Sequence, residues 1–379
     1  MNAVSQLMSP VELLNLADAF FEDEKWIEAY TLYRGLCITP SSIVSDNLAG
    51  IENKMGVCAK VLGNNDKAIE HFWTAFDLES HSQVNFENLV TTLADDKQFL
   101  AAVKLCDDVL QKGLARANQS YEATVYKARG LCHNALDYSI LALSDLNRAL
   151  EMKAEDKAGE ITFTIGNILL GECSFAEAIP YFDKVDIESE LYLFATNSIG
   201  ACFMNLGQAK EAQPYFEEAL AFSPNSNQIR NNLFECLATQ NNWSEALVHI
   251  SHIVDTMIPT EPNYVEKLRC KVICLRELGH IDAAKDLLDD ALQMEPDNYR
   301  LHSAMARIHY DLGHLESGFI HTDKSIAGAE KAGDLFYAKG ALEYLFMAAV
   351  EGGEHEVAEW VKYKISSIED KIYQSPEPF

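Results

Sequence analysis

The chain has 379 residues, 48% of them hydrophobic, and its 58 acidic side chains outnumber 30 basic ones for a formal charge of −28. That apolar fraction excludes a disordered tail. The carboxylate excess opposes direct binding of nucleic acid or anionic membrane, which needs clustered Lys and Arg. The charge reads first as a solvated outer surface and second as a face that recruits a basic partner. No apolar run approaches the ~18 residues that span a bilayer. The N-terminus, MNAVSQLMSPVELLNLADAFFEDEKW, lacks the basic start and long apolar core of a signal peptide. The expectation is a soluble, cytoplasmic protein without direct membrane insertion.

From the N-terminus, a helical pattern recurs in pairs. A small or apolar residue is followed twelve positions later by alanine: Ala17/Ala29, Gly56/Ala68, Val90/Ala102, Gly130/Ala142, Gly166/Ala178, Gly200/Ala212, Phe234/Ala246 and Val272/Ala284. Four residues further on stands a bulky side chain, as at Tyr33, Phe72, Leu146, Phe182, Phe216, Ile250 and Leu288. Helix-stop turns such as LGNNDKA, LGQAKEA and LGHIDAA separate the two helices of a pair. Units begin near residues 10, 49, 83, 123, 159, 193, 227, 265 and 299, and a tenth hairpin centres on GEHEVAEWV.

Small residues at paired positions let helix backbones approach, and the bulky residue fills the space beside them. Cys58, Cys132, Cys202, Cys236 and Cys274 share one repeat position, which reads as packing. Pro180 and Pro214 share another, expected near the start of a second helix, where a missing N–H costs least. Extra residues at 41–47, 115–123, 256–264 and 328–336 read as bends or small loops, with the two prolines of PTEP marking a hinge.

The pattern resembles the tetratricopeptide repeat, a helix–turn–helix unit of about 34 residues. The resemblance covers nearly the whole chain. It implies an all-α fold, a right-handed superhelical solenoid of about ten repeats, in which each hairpin buries its apolar face only against its neighbours. The expected organisation is an N-terminal extension (1–9), an array of about seven repeats (10–258), a Pro-containing hinge (259–264), an array of about three (265–373) and a disordered tail (374–379).

Catalytic chemistry is hard to find. Nine cysteines without a secretory signal fit a reducing compartment. Cys270 and Cys274 lack partners at zinc spacing. HEVAE at 355–359 has Glu359 where a metalloprotease helix needs histidine, and His355 reads as part of an inter-helix turn. No phosphate loop or nucleophile elbow is present. The expectation is no enzyme, no metal and no cofactor.

The resemblance also implies a concave groove lined by the first helix of each repeat, at roughly its second, fifth, ninth and twelfth positions. Asn53, Asn88, Asn167, Asn197, Asn231 and Asn232 are candidates to clamp a peptide backbone, since an amide offers donor and acceptor as a peptide bond does. Phe163, Leu170, Phe194 and Met204 would supply side-chain pockets. Arg269, Arg276, Arg300 and Arg307, with Lys271 nearby, form a basic cluster suited to the carboxylates of an acidic partner segment. The family's two-carboxylate clamp residues are not reproduced in adjacent repeats. The leading expectation is a scaffold binding a peptide or protein segment in the groove. Two alternatives are a regulator that changes superhelical shape on binding, and a noncatalytic subunit of a secretion, envelope-assembly or glycosylation complex. Self-association through terminal repeats stays open.

Overall fold

A computed structural model describes residues 8–38, 41–154, 156 and 159–374. Among them are 21 helices and no strand. The chain divides into two compact units, residues 1–195 and 196–379. The first carries α1 (Pro10–Glu22), α2 (Trp26–Ile38), α3 (Ser42–Asp46), α4 (Leu48–Val61), α5 (Asn65–Leu78), α6 (Gln83–Asp95), α7 (Phe99–Lys112), α8 (Gln119–Ala135), α9 (Ser139–Glu151), α10 (Glu160–Gly171) and α11 (Phe175–Phe182). From α12 (Tyr192–Asn205) onward the second carries α13 (Ala209–Phe222), α14 (Asn227–Thr239), α15 (Trp243–Thr256), α16 (Tyr264–Glu277), α17 (Ile281–Met294), α18 (Tyr299–Asp311), α19 (Leu315–Ala332), α20 (Leu335–Glu351) and α21 (His355–Gln374). Apart from α3, the helices form successive antiparallel pairs. Within each unit the pairs stack into a helical solenoid.

One turn closes every pair. Its residue after the first helix takes left-handed backbone: Gly63, Gly207, Gly279, Gly313 and Gly353 in five hairpins, and Glu24, Lys97, Asp137, Cys173 and Asn241 in the others. The next N–H returns to a carbonyl five residues back, as in Gln98→Leu93 and Gln208→Phe203, at 2.8–2.9 Å in all ten. The left-handed residue's own N–H reaches three residues back, as in Lys97→Ala94 and Gly207→Met204. These are the paired bonds of a Schellman cap, which satisfies the orphan carbonyls of a helix end with backbone alone.

In four hairpins a glycine on the first helix faces a bulky side chain on the second. A Cβ on Gly56, Gly166 or Gly200 would stand 2.5–2.7 Å from the ring of Phe72, Phe182 or Phe216. Gly130 meets Leu146 in the same way, at 2.8 Å. Where the first position holds Val90, the residue sixteen later is Cys106, and both are buried. The expected alanines, bulky residues and five same-position cysteines all lie in the core. A charged cluster joins it between α8 and α9. Arg129 binds both oxygens of buried Asp145 at 2.7–2.8 Å and Asp107 at 2.6 Å, and His133 Nδ1 lies 3.0 Å from Asp145.

Several local expectations change. Pro180 and Pro214 are each the sixth residue of their helix rather than part of its first turn, so each removes one internal hydrogen bond. Both are exposed, as are Ala176 and Lys210, whose carbonyls lose the bond on the solvent side of the helix. Residues 42–46 form α3 instead of a loop, capped by Ser41. Residues 328–332 lengthen α19 to 18 residues, because Ala329, Glu330, Lys331 and Ala332 are good helix formers up to Gly333. His355 is the first residue of α21, not a turn residue. The PTEP segment is an exposed turn in which the Glu261 carboxylate accepts from the Ile258 N–H at 3.0 Å. The expected tail falls, but for the backbone of Gln374, outside the described residues, as do residues 1–7 of the expected N-terminal extension.

A histidine cluster lies between α18 and α19. His302 Nδ1 and His321 Nδ1 are 3.0 Å apart, His302 Nε2 donates to the Pro296 carbonyl at 2.9 Å, and the His309 ring stacks on His321. Burial, then the neighbouring imidazoles and Lys324, push His321 down to about 4. Burial likewise lowers His302 and His309.

Two outcomes follow. Gly200→Val alone overpacks against Phe216 and costs about 1–3 kcal/mol, while Phe216→Cys alone leaves a cavity costing about 3–5 kcal/mol. The double variant, which copies Val90/Cys106, costs less than the sum by at least about 1 kcal/mol in urea denaturation. Simple additivity would mean that the two positions do not share volume. For the histidines, the folded state stays neutral where the unfolded chain binds protons, so stability is full above about pH 6.5 and is lost as pH falls toward 4. The urea midpoint should therefore rise across that window, and His321→Gln should flatten the rise.

Candidate functional site

In the second unit, Arg269 and Arg276 lie two turns apart on one face of α16, and Arg300 and Arg307 do the same on α18. The stacking brings all four around one cavity of about 130 Å³, lined also by Val272, Ile273, Ser303, Ala304 and Tyr337. These are the groove positions that the repeat register marks. Three of the guanidiniums have carboxylate partners. Arg269 forks onto Glu266 at 2.5 and 2.9 Å. Arg276 binds Asp311 at 2.5 and 3.0 Å and Glu277 at 2.8 Å. Arg300 reaches Asp334 at 3.4 Å and Tyr299 Oη at 3.2 Å.

Arg307 differs. Among the described residues it has no carboxylate partner, and its guanidinium lies 4.7 Å from the centroid of the Tyr344 ring. That ring also holds Arg276, whose guanidinium donates to Tyr344 Oη at 2.5 Å. A ring face orients a cation without neutralising it. Arg307 therefore keeps its full charge toward the groove. Tyr337 and Tyr344 were not among the expected residues. Their signal was a seven-residue spacing on α20, in a hairpin whose register the degenerate tenth repeat obscures. Lys271 is turned to Asp255 at 3.6 Å, and it does not line the cavity.

The asparagines are largely engaged with one another. Asn53 donates to Asn85 and accepts from Asn88, both at 2.7 Å, and Asn85 donates to the Ala75 carbonyl. Asn232 donates to Asn197 at 2.9 Å, and Asn231 links Glu235 to Lys267. These amides tie successive first helices together, which uses much of the donor and acceptor capacity a peptide clamp requires. Asn167 is exposed in the first unit. Phe163 is half-buried with its ring edge against Phe182, so it belongs more to its own hairpin than to an open groove. Leu170 is half-buried, Phe194 is exposed, and Met204 packs against the core of the second unit.

The first unit has its own cavity, of about 480 Å³, lined by Glu87, Val90, Thr91, Ala94 and Asp95 of α6, Phe99 of α7, Thr124, Lys127, Ala128, Leu131 and Cys132 of α8, and Ala154 and Glu160. Glu87, Thr91, Ala94, Thr124, Lys127 and Leu131 occupy the same repeat positions as the pocket arginines. The register contained this site, but without Asn or Arg there it passed unmarked. Among the described residues no group of three or more His, Cys, Asp or Glu is placed to hold a metal ion, and no helix is long and apolar enough to cross a membrane.

Comparison with known proteins places the chain. A family model described as tetratricopeptide repeat matches residues 203–256 and 275–318. A stretch of 132 residues, 34% of this chain, is 31% identical to 14% of the protein O-mannosyl-transferase TMTC1 of Homo sapiens. A stretch of 98 residues, 26% of this chain, is 31% identical to 17% of the anaphase-promoting complex subunit 7 of the same organism. The chain thus spans only a small part of these relatives. Among solved structures, a tetratricopeptide repeat protein from Parabacteroides merdae aligns over 69% of this chain and 98% of its own, with 13% identity and a TM-score of 0.46. PilW, described as a type IV pilus biogenesis factor, aligns over 56% of this chain and 94% of its own, with 18% identity and a TM-score of 0.44. The segments 203–256 and 275–318 thus match tetratricopeptide repeats, and the hairpins there close with the same turn that recurs ten times among the described residues.

Proposed function

We propose that the chain is a non-enzymatic protein-interaction scaffold, and that the arginine-lined cavity of its second unit receives a carboxylate-bearing segment of a partner. The observation that carries this reading is Arg307. In a chain of charge −28, it is a guanidinium aimed by a tyrosine ring into a groove already shaped by three other arginines. A rigid pocket whose donors are fixed before binding loses little entropy on binding. The fork of Arg307 suits a carboxylate in two-point contact. The partial likeness to a subunit of the anaphase-promoting complex supports a noncatalytic place in a larger assembly.

The test is a fluorescein-labelled peptide of alternating Asp, Glu and Gly with a free C-terminus, titrated by anisotropy against a Gln/Asn copy. Binding of the acidic peptide should weaken as salt rises and should fall at least about tenfold for Arg307→Ala, in line with the ~1.5–3 kcal/mol of one charge-assisted hydrogen bond. Arg307 has no ion pair among the described residues to lose, so circular dichroism and the urea midpoint should barely move. Equal binding of both peptides, or an unchanged affinity for Arg307→Ala, would remove the cavity from the function.

A further inference from the structure

The cavity of the first unit has the opposite character. Its floor is apolar: Val90 is buried, and Ala94, Phe99 and Leu131 are half-buried around a volume able to hold one large aliphatic or aromatic side chain. Its rim is acidic. Glu87 is half-buried, and its partner is the uncharged amide of Gln83 at 2.7 Å; among the described residues no lysine or arginine neutralises it. Asp95 stands exposed at the other end of the α6 stripe, paired outward with Lys60 at 2.8 Å. The one cation on the lining, Lys127, is already bound to Glu160 at 2.7 Å. A half-buried carboxylate beside an apolar hollow favours a partner that brings both a cation and a hydrophobe.

We infer that this cavity is a second docking site, for a partner segment in which a large apolar residue is flanked by Lys or Arg. The apolar side chain fills the hollow between α6 and α8, and the flanking cation pairs with Glu87. The argument does not depend on the arginine-lined cavity, because no residue is shared and the ligand has the opposite sign. With both sites present, one chain offers an acidic pocket and a basic pocket at equivalent repeat positions. It can then hold two unlike segments at once.

The probe is a fluorescein-labelled peptide with one leucine between two pairs of lysines, followed by anisotropy against the full chain at 0.15 M salt. A copy with glycine for leucine tests the hollow, and a copy with glutamate for lysine tests the rim. The leucine–lysine peptide should bind at least about tenfold tighter than either copy. Ala94→Leu, which fills the hollow, and Glu87→Gln, which removes the rim charge, should each weaken it at least about fivefold. Circular dichroism and the urea midpoint should stay close to those of the parent chain, which reports that both variants are folded. If the glycine copy binds as well as the leucine peptide, the attraction is only that of an acidic surface for lysine and the site is lost. If both variants bind normally, the peptide sits elsewhere and the assignment is equally overturned.

Discussion

The contact on which the rest depends lies in the middle of the hairpin, where two helices meet across one buried facing pair. A glycine under a phenylalanine ring lets the two backbones approach, and at Val90 and Cys106 two medium-sized buried residues stand at the same positions. Close packing within each hairpin lets hairpins stack in one register. A fixed register then puts the same positions of every first helix on the same surface. Both cavities are consequences of that surface. They differ only in which side chains occupy it.

The fold was legible because its signals are periodic. The twelve-residue spacing, the buried cysteines and the turn sequences report one geometry many times over, so an irregular repeat does little harm. Single-copy features were read less well. Pro180 and Pro214 follow the register, but their depth within the helix depends on where the Schellman cap releases the chain, a matter of one or two residues. The lengthened α19 replaced an expected loop because helix continuation depends on local propensity rather than on the repeat.

The arginines could be read as one cluster because two pairs, each spaced by two helical turns, sit in adjacent repeats. What could not be read is how their charges are spent. Arg276 and Arg307 occupy comparable positions, yet one is matched by Asp311 and Glu277 and the other rests on an aromatic ring. Both also touch Tyr344, which stands 37 residues downstream of Arg307 in a repeat without a clear register. The asparagines carry the reverse lesson. Their positions suggested a clamp for a peptide backbone, whereas Asn53 bonds to Asn85 and Asn88, and Asn232 bonds to Asn197. An amide can satisfy a neighbouring amide as readily as a peptide.

The ten hairpin turns have a consequence for how such a chain grows. Each turn satisfies its helix end with main-chain bonds drawn from its own hairpin, so the bonds require no particular side chain, and Glu24, Lys97 and Cys173 stand where glycine stands elsewhere. A duplication or deletion in the gene that begins and ends between hairpins therefore preserves every partner of every carbonyl at the turns. Length becomes a quantity that ancestry can add or subtract in whole steps. The facing pair at each hairpin's centre travels with the copied segment, because both of its members lie within it. New surface can thus be acquired already folded, before any of its groove residues has been selected for a ligand.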